Sequence, residues 1–296
     1  MAQDTRIGII GTGRMGTAFA TRLAGQSFPV TVWNRTPDRA AAAAEAGARI
    51  APDLAALCAE SDVILTSLTD FAALWDVCAG TDGLAAQPLG GKLVIEMSTI
   101  LPDEQIRLAE HLGARGAAFV DCPVGGTVGP ALKGALLGFA GGAPDAWDRA
   151  EPVLGHLCKR VEHVGPVGAG AAMKLAVNLP LAMYWATMGE ALTMLGDSDL
   201  PGASIAGLMA DSSAGPNVLK NRMQVVSDTL DGTDQPGTFD IDGLRKDLAL
   251  AIKWAARRGR DLPLALAALE TYNAAQDKGL GRFDGASVAR FVRDGR

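Results

Sequence analysis

The sequence predicts an α/β chain: a doubly wound parallel sheet in the N-terminal half, one long helix, and an all-α C-terminal domain. Three observations lead there. Short apolar runs rich in β-branched residues alternate with helical stretches as far as residue 165. The first of these runs ends on the glycine-rich turn "GTGRMG". Past residue 165 the strand pattern stops, and "GAGAAMKLAVNLPLAMYWATMGEAL" (168–192) opens a helical remainder.

"TRIGIIG" (5–11) reads as a buried strand closing on glycine, with a helix from Arg14 to about Ala24. "PVTVWN" (29–34) is the second strand. "TPDRAAAAAEAG" is a helix with Thr36 as N-cap, Pro37 in the first helical position and Gly47 as its stop. "DVILTSL" (62–68), "KLVIEMS" (92–98) and "AAFVDCPV" (117–124) are further strands, separated by helices near 53–60, 70–79 and 102–115. The domain boundary falls near Gly165–Pro166, giving domains 1–165 and 166–296, with the interdomain helix at about 168–195. "SDTLDGTDQPGT" (227–238) reads as a polar, mobile loop.

Composition narrows the function. With 27 Lys and Arg against 33 Asp and Glu, the net charge is -6, and the basic residues do not cluster into the footprint that nucleic-acid binding requires. The run Arg257, Arg258, Arg260 reads as a solvated helix end. The longest uncharged stretch, Leu175–Gly189, is too short for a bilayer, which needs about 20 apolar residues. The four cysteines form no C-x-x-C pair, and His111, His156 and His163 are scattered, so no metal site is expected. The first strand begins within five residues with no apolar leader, and the expected location is the cytoplasm, with reduced thiols.

"GTGRMG" carries the G-x-G-x-x-G spacing at a strand-to-helix junction, the Rossmann-type dinucleotide fingerprint. Gly11 allows the tight turn, Gly13 lets backbone approach a pyrophosphate, and Gly16 lets helix pack on strand. Thr12, Arg14 and Met15 complete the turn, and the helix N-terminus faces the anion. At the end of the second strand, where NAD sites place a carboxylate for the ribose 2′-hydroxyl, this chain has Asn34-Arg35-Thr36. A guanidinium there can pair with a 2′-phosphate through two charge-assisted bonds, so the expected cofactor is NADPH.

"GTGRMG", "NRT", "EMST", "DCPVGGTVGPALKGAL", "GAGAAMKLAVN" and "FDIDGLRKDLALAI" (239–252) occur together and in order over nearly the whole chain. In this the sequence resembles the β-hydroxyacid dehydrogenase family of 3-hydroxyisobutyrate dehydrogenases and glyoxylate/succinic semialdehyde reductases. The resemblance implies an active site between a nucleotide domain and a helical domain. A lysine on the interdomain helix serves as acid/base and an asparagine one turn later holds substrate; these match Lys174 and Asn178. Residues four apart share a helical face, so both can meet one small ligand. The resemblance further implies substrate contacts at Gly125, Gly126, Thr127 and Ser98. It puts Leu68, Thr99 and Lys246 on the cofactor side, and it implies a homodimer built on the helical domain. The activity it implies is interconversion of a small aldehyde or keto acid and its hydroxy acid.

The chain departs from the family at the substrate loop. The usual D-x-P-V-S-G-G reads "DCPVGGT", so Gly125 stands where a serine hydroxyl would meet a carboxylate, and Thr127 replaces a glycine. Pro180 sits inside the long helix and removes one hydrogen bond. Two alternatives follow: an imine reductase using Met183, Tyr184, Trp185 and Met188 in a less polar pocket, and a catalytically silent dinucleotide-binding protein. Lys174 speaks for carbonyl reduction against both. Asp62 and Asp121 read as turn or capping groups, and Cys122 as buried packing.

Overall fold

The computed structural model describes residues 4–196 and 198–295. They form two compact units, divided between Lys174 and Leu175. In the first, β1 (Ile7–Ile10), β2 (Val30–Trp33), β3 (Arg49–Ile50), β4 (Val63–Thr66), β5 (Leu93–Glu96) and β6 (Ala118–Asp121) are joined by helices. These are α1 (Arg14–Gly25), α2 (Ala41–Glu45), α3 (Leu54–Ala59), α4 (Phe71–Ala79) and α5 (Pro102–Gly113). The strands lie in the order β3-β2-β1-β4-β5-β6, all parallel. That is the Rossmann order, with its switch point between β1 and β4.

Both faces are apolar because both are covered. Successive side chains point to opposite faces. Ile7, Ile9, Val30 and Val32 therefore join Phe19 and Leu23 of α1 in one core. Ile10, Ile64, Val94 and Phe119 join Leu57, Leu74, Leu108 and Leu112 of α3–α5 in the other. Asp53 and Asp70 start α3 and α4 by accepting from Ala56 N (2.7 Å) and Ala73 N (2.8 Å).

The sheet does not stop at six parallel strands. The expected strand 117–124 divides into β6 and the short β7 (Val124–Gly125). After α6 (Val128–Leu132) come β8 (Leu136–Gly142), α7 (Pro144–Leu157) and β9 (Cys158–Gly165). β8 runs antiparallel to β6 and β7 and parallel to β9, so the sheet is mixed. Glycines hide β8 from a hydrophobicity pattern, yet packing demands them: a Cβ at Gly141 would lie 2.5 Å from Asp121 Oδ1, and one at Gly138 2.8 Å from Val161 Cγ2. β9 is largely exposed and charged along its length. A second correction concerns residues 36–47. Pro37–Ala40 form a 3-10 turn before α2; Thr36 stands at its N-cap with Pro37 following, but its side chain makes no capping bond, and its own N–H donates to Asn34 Oδ1 at 2.9 Å.

The long helix is α8 (Ala169–Thr193); it continues past Pro180 without interruption. The second unit adds α9 (Gly202–Asp211), α10 (Asn217–Asn221), α11 (Met223–Leu230), α12 (Ile241–Arg257), α13 (Pro263–Asp277) and α14 (Ala286–Arg293). α11 occupies the first residues of the stretch 227–238 that reads as loop in sequence. Trp185, Met188, Leu244, Leu248 and Tyr272 centre this unit's core, and Tyr272 Oη donates to Ala182 O at 2.8 Å. Among the described residues, no helix is long and apolar enough to cross a membrane.

Candidate active site

The turn after β1 is shaped by its glycines. Gly11 has φ +94°, and a Cβ there would lie 2.4 Å from Ser67 O; a Cβ at Gly16 would lie 1.8 Å from Gly11 O. Gly13 differs, since a Cβ would meet nothing within 4 Å. Two of the glycines are therefore forced by the protein's own packing, and Gly13 borders open space. No side chain caps α1 at Gly13, and no acidic residue sits in its first turn, whereas α3 and α4 are capped by aspartates. The N-terminus of α1, with glycine at its cap and no carboxylate in its first turn, has the electrostatic character of an anion site. The residues fit a dinucleotide's pyrophosphate.

The β2 end carries the second contact. Asn34 Nδ2 donates to Thr12 Oγ1 at 2.8 Å, tying this end to the glycine turn. With its Oδ1 holding Thr36 N, the asparagine is bonded at both ends of its amide. Arg35 projects into solvent, its side chain 77% exposed and 3.9 Å from Asp76 Oδ2. A pair that long and that exposed contributes little and leaves the guanidinium available to another anion.

Across the switch point, Leu68 Cδ2 lies against Gly11, where an added Cβ would be 2.7 Å away. Leu68 N donates to Ser98 Oγ at 2.9 Å, and Ser98 N donates to Glu96 Oε1 at 2.7 Å. Gln105 Nε2 donates to the other oxygen of Glu96. Glu96 is buried, and desolvation pushes its carboxyl up to about 7 against the pull of the Ser98 and Gln105 hydrogen bonds. The structure thus brings Leu68 and Ser98 together; Thr99, one residue on, is half-buried.

The loop expected to meet the substrate follows β6. Gly126 has φ +118°, in the left-handed region that favours glycine, and Thr127 is the half-buried residue before α6. A Cβ at Gly125 would find its nearest atom at 3.7 Å, so the position has room for a side chain. Asp121, just upstream, reaches across the chain: Oδ1 accepts from Gly168 N at 2.7 Å and Oδ2 from Ala171 N at 2.8 Å. It is the N-cap of α8, supplied from 47 residues away. Burial pushes Asp121 up to about 6, with the backbone N–H bonds opposing. Three residues beyond that cap stands Lys174, 7% exposed.

In the second unit, Asn178 Nδ2 donates to Asp247 Oδ2 at 2.6 Å, and both residues are buried. Lys246 Nζ lies 3.3 Å from Asp247 Oδ1, so this lysine is paired with its sequence neighbour. Trp185 and Met188, which an apolar imine pocket would need, are core residues of this unit. The four cysteines are free and buried, and Cys122 has its thiol pKa raised by that burial. Asp62 binds the Arg6 guanidinium at 2.6 Å. Sequence reasoning missed Glu96, Gln105 and Asp247. The partners are distant or lie on separate elements, and an acidic residue at a strand end carries no periodic signal. Among the described residues, no group of three or more His, Cys, Asp or Glu could hold a metal ion.

Comparison with known proteins agrees in both halves. Residues 6–165 match the family described as the NAD binding domain of 6-phosphogluconate dehydrogenase. Residues 168–292 match the NAD-binding family of NADP-dependent 3-hydroxyisobutyrate dehydrogenase. The chain is similar to mitochondrial 3-hydroxyisobutyrate dehydrogenase of Rattus norvegicus, with 30% identity over 298 residues, covering 99% of this chain and 89% of that protein. The structure of Mycobacterium tuberculosis 3-hydroxyisobutyrate dehydrogenase with L-serine superposes with a TM-score of 0.86 at 26% identity, covering 98% of this chain and 99% of that one. Psf3 in complex with NADP+ and 2-OPP superposes with a TM-score of 0.84 at 27% identity, covering 97% and 99%.

The raised carboxyls make stability depend on pH. Between the ordinary carboxyl range and about 7, folded Glu96 keeps a proton that the unfolded chain has released. Folding then takes up protons, so this contribution to stability falls as pH rises through that window. In urea unfolding, Glu96→Gln is expected to gain on the wild-type protein as pH rises from 5 to 7, by about 1.4 kcal/mol for each pH unit. A difference that stays constant with pH would show a Glu96 charged throughout.

Proposed function

The chain belongs to the 3-hydroxyisobutyrate dehydrogenase family and is an NAD(P)(H)-dependent oxidoreductase; from that premise we propose that it interconverts a small aldehyde or keto acid and its hydroxy acid with NADPH as reductant. The observation that carries this reading is Lys174, a nearly buried amine on an apolar helix, four residues before Asn178. Burying an ammonium group is costly, and one placed beside a substrate can give and take a proton.

When bound, the cofactor would supply a hydride, with its electron pair, to the carbonyl carbon. Lys174 delivers a proton to the carbonyl oxygen as the alcohol forms and takes it back in the reverse direction. Asn178 orients the substrate, with Asp247 fixing its amide. The backbone N–H groups of Gly125 and Gly126, with the Thr127 hydroxyl, receive the substrate's anionic end, and Ser98 borders the reacting centre. The turn Gly11–Gly16 and the N-terminus of α1 would hold the pyrophosphate, with Asn34, Arg35 and Thr36 at the adenosine ribose, and Leu68, Thr99 and Lys246 would complete the cofactor contacts. The functional division runs at 165/166, supported by one family match ending at 165 and the other beginning at 168, a few residues before the compact units divide at Lys174/Leu175. A homodimer through the helical unit would cover the exposed Met194, Leu200 and Leu208.

The test is NADPH oxidation over glyoxylate, succinic semialdehyde, tartronate semialdehyde and a cyclic imine. Turnover of an aldehyde acid is expected, and Lys174→Ala should lower kcat by about 10²- to 10⁴-fold while NADPH still binds. Unchanged carbonyl turnover in that variant, or turnover of the imine alone, would sink the assignment. Arg35→Asp should weaken NADPH by about 10- to 100-fold and spare NADH; equal losses would remove the arginine from cofactor choice. Because Gly125 has room for a side chain, Gly125→Ser should lower KM for carboxylate substrates by about two- to tenfold. An equal change for an uncharged aldehyde would mean that the loop does not read the carboxylate.

A further inference from the structure

Glu96 ends β5 with 1% of its surface exposed. Deprived of water, its charge is decided by its neighbours. A line of hydrogen bonds runs through it. Gln105 on α5 donates to Oε2, Ser98 N donates to Oε1, and Leu68 N donates to Ser98 Oγ. Leu68 in turn lies against Gly11 of the glycine turn. Gln105 Oε1 is buried with no hydrogen-bond partner. Turning that amide over would present Oε1 to Glu96, where a protonated carboxyl can donate to it. Gln105 can therefore serve either charge state of Glu96.

The other ionisable groups acting on Glu96, or acted on by it, come from two elements. Asp121 is its register partner on β6, Cys122 follows Asp121, and Cys78 lies on α4. Burial pushes Cys78 up to about 12 and holds Cys122 well above the usual thiol range, so both are neutral at physiological pH. Asp121 is a like charge, and with burial it brings Glu96 to about 7.

We propose that Glu96 is a positioning residue whose charge sets the preference of the nicotinamide pocket for the oxidised over the reduced ring. This rests on the functional reading above, in which Ser98 borders the reacting centre and Leu68 is among the cofactor contacts. The oxidised ring is a cation and the reduced ring is neutral. An ionised carboxylate behind Ser98, in a medium that screens poorly, favours the cation; a protonated one does not. Ionisation also strengthens the Ser98 N–H bond that holds the pocket's wall. By linkage, NADP+ binding promotes release of the Glu96 proton and NADPH binding does not.

The experiment measures dissociation constants of NADP+ and NADPH from pH 5.5 to 9 by tryptophan fluorescence on the full chain. The quantity read is their ratio. The 2′-phosphate titrates at about 6 in both nucleotides and cancels from it. In the wild-type protein the ratio of the NADP+ constant to the NADPH constant should fall about tenfold as pH rises through neutrality, as it would if the ring's charge changed the acidity of Glu96 by the same factor. Glu96→Gln should bind both nucleotides with a flat ratio, and Glu96→Asp should restore the dependence at lower pH. A flat ratio in the wild-type protein with both nucleotides bound would overturn the proposal and leave the oxidoreductase reading intact. So would a step that survives in Glu96→Gln, which would belong to Asp121. If Glu96→Gln fails to fold, calorimetry of the wild-type protein in two buffers decides: proton release with NADP+ alone supports the proposal, and equal release with both nucleotides refutes it. Failure of either nucleotide to bind at all would sink the oxidoreductase reading itself.

Discussion

The side chain of Asp121 is the contact on which the arrangement of the first unit turns. A helix beginning after Gly168, at φ +91°, has no side chain of its own with which to satisfy its first N–H groups. Asp121 fills that gap from the end of β6, accepting from Gly168 and Ala171. The same carboxylate stands one residue before the Cys122–Thr127 loop, so loop and helix start are referenced to a single group. The approach is so close that a Cβ on Gly170 would lie 2.8 Å from Asp121 Oδ2, and one on Gly141 2.5 Å from Oδ1. Two glycines on different elements are thus obligatory for one hydrogen-bonded cap. Lys174 follows within the next turn, and its position inherits the precision of that cap.

The same logic, applied with the opposite sign, separates α1 from its neighbours. α3 and α4 each use an aspartate to cap their N-termini. α1 begins at the C-terminal edge of β1, at the switch point, with glycine at its cap. Leaving donors unsatisfied there would destabilise the helix unless an anion or solvent meets them. An uncapped helix beside capped ones, opening onto a glycine that packs against nothing, is physical support for a phosphate site that does not depend on the motif.

This contrast also explains what was legible in sequence. Strands β1, β2, β4 and β5 are short, continuous apolar runs because both faces are buried, and such runs stand out in a linear pattern. The glycine turn is local as well, since three residues within six carry its geometry. β8 escaped because four of its seven residues are small, selected by neighbours far along the chain. Asp121 was readable as a capping group, but nothing in the sequence says which helix it caps. Glu96 and Asp247 escaped altogether. A lone acidic residue in an apolar run reads as an edge or a turn, and its meaning lies in Gln105 or Asn178, on other elements.

Asp247 shows how much chemistry such a residue can determine. The atom of Asn178 that donates to Asp247 Oδ2, at 2.6 Å, is the amide nitrogen. The orientation of that amide, ordinarily ambiguous, is settled by the identity of its partner. The nitrogen of Asn178 is thus committed to Asp247, and that contact fixes the plane of the amide. Lys246 Nζ lies 3.3 Å from the other carboxylate oxygen. The pair Lys246–Asp247 and the residue Asn178 therefore act as one unit. The aspartate commits the amide nitrogen of the asparagine with one oxygen and meets the lysine with the other.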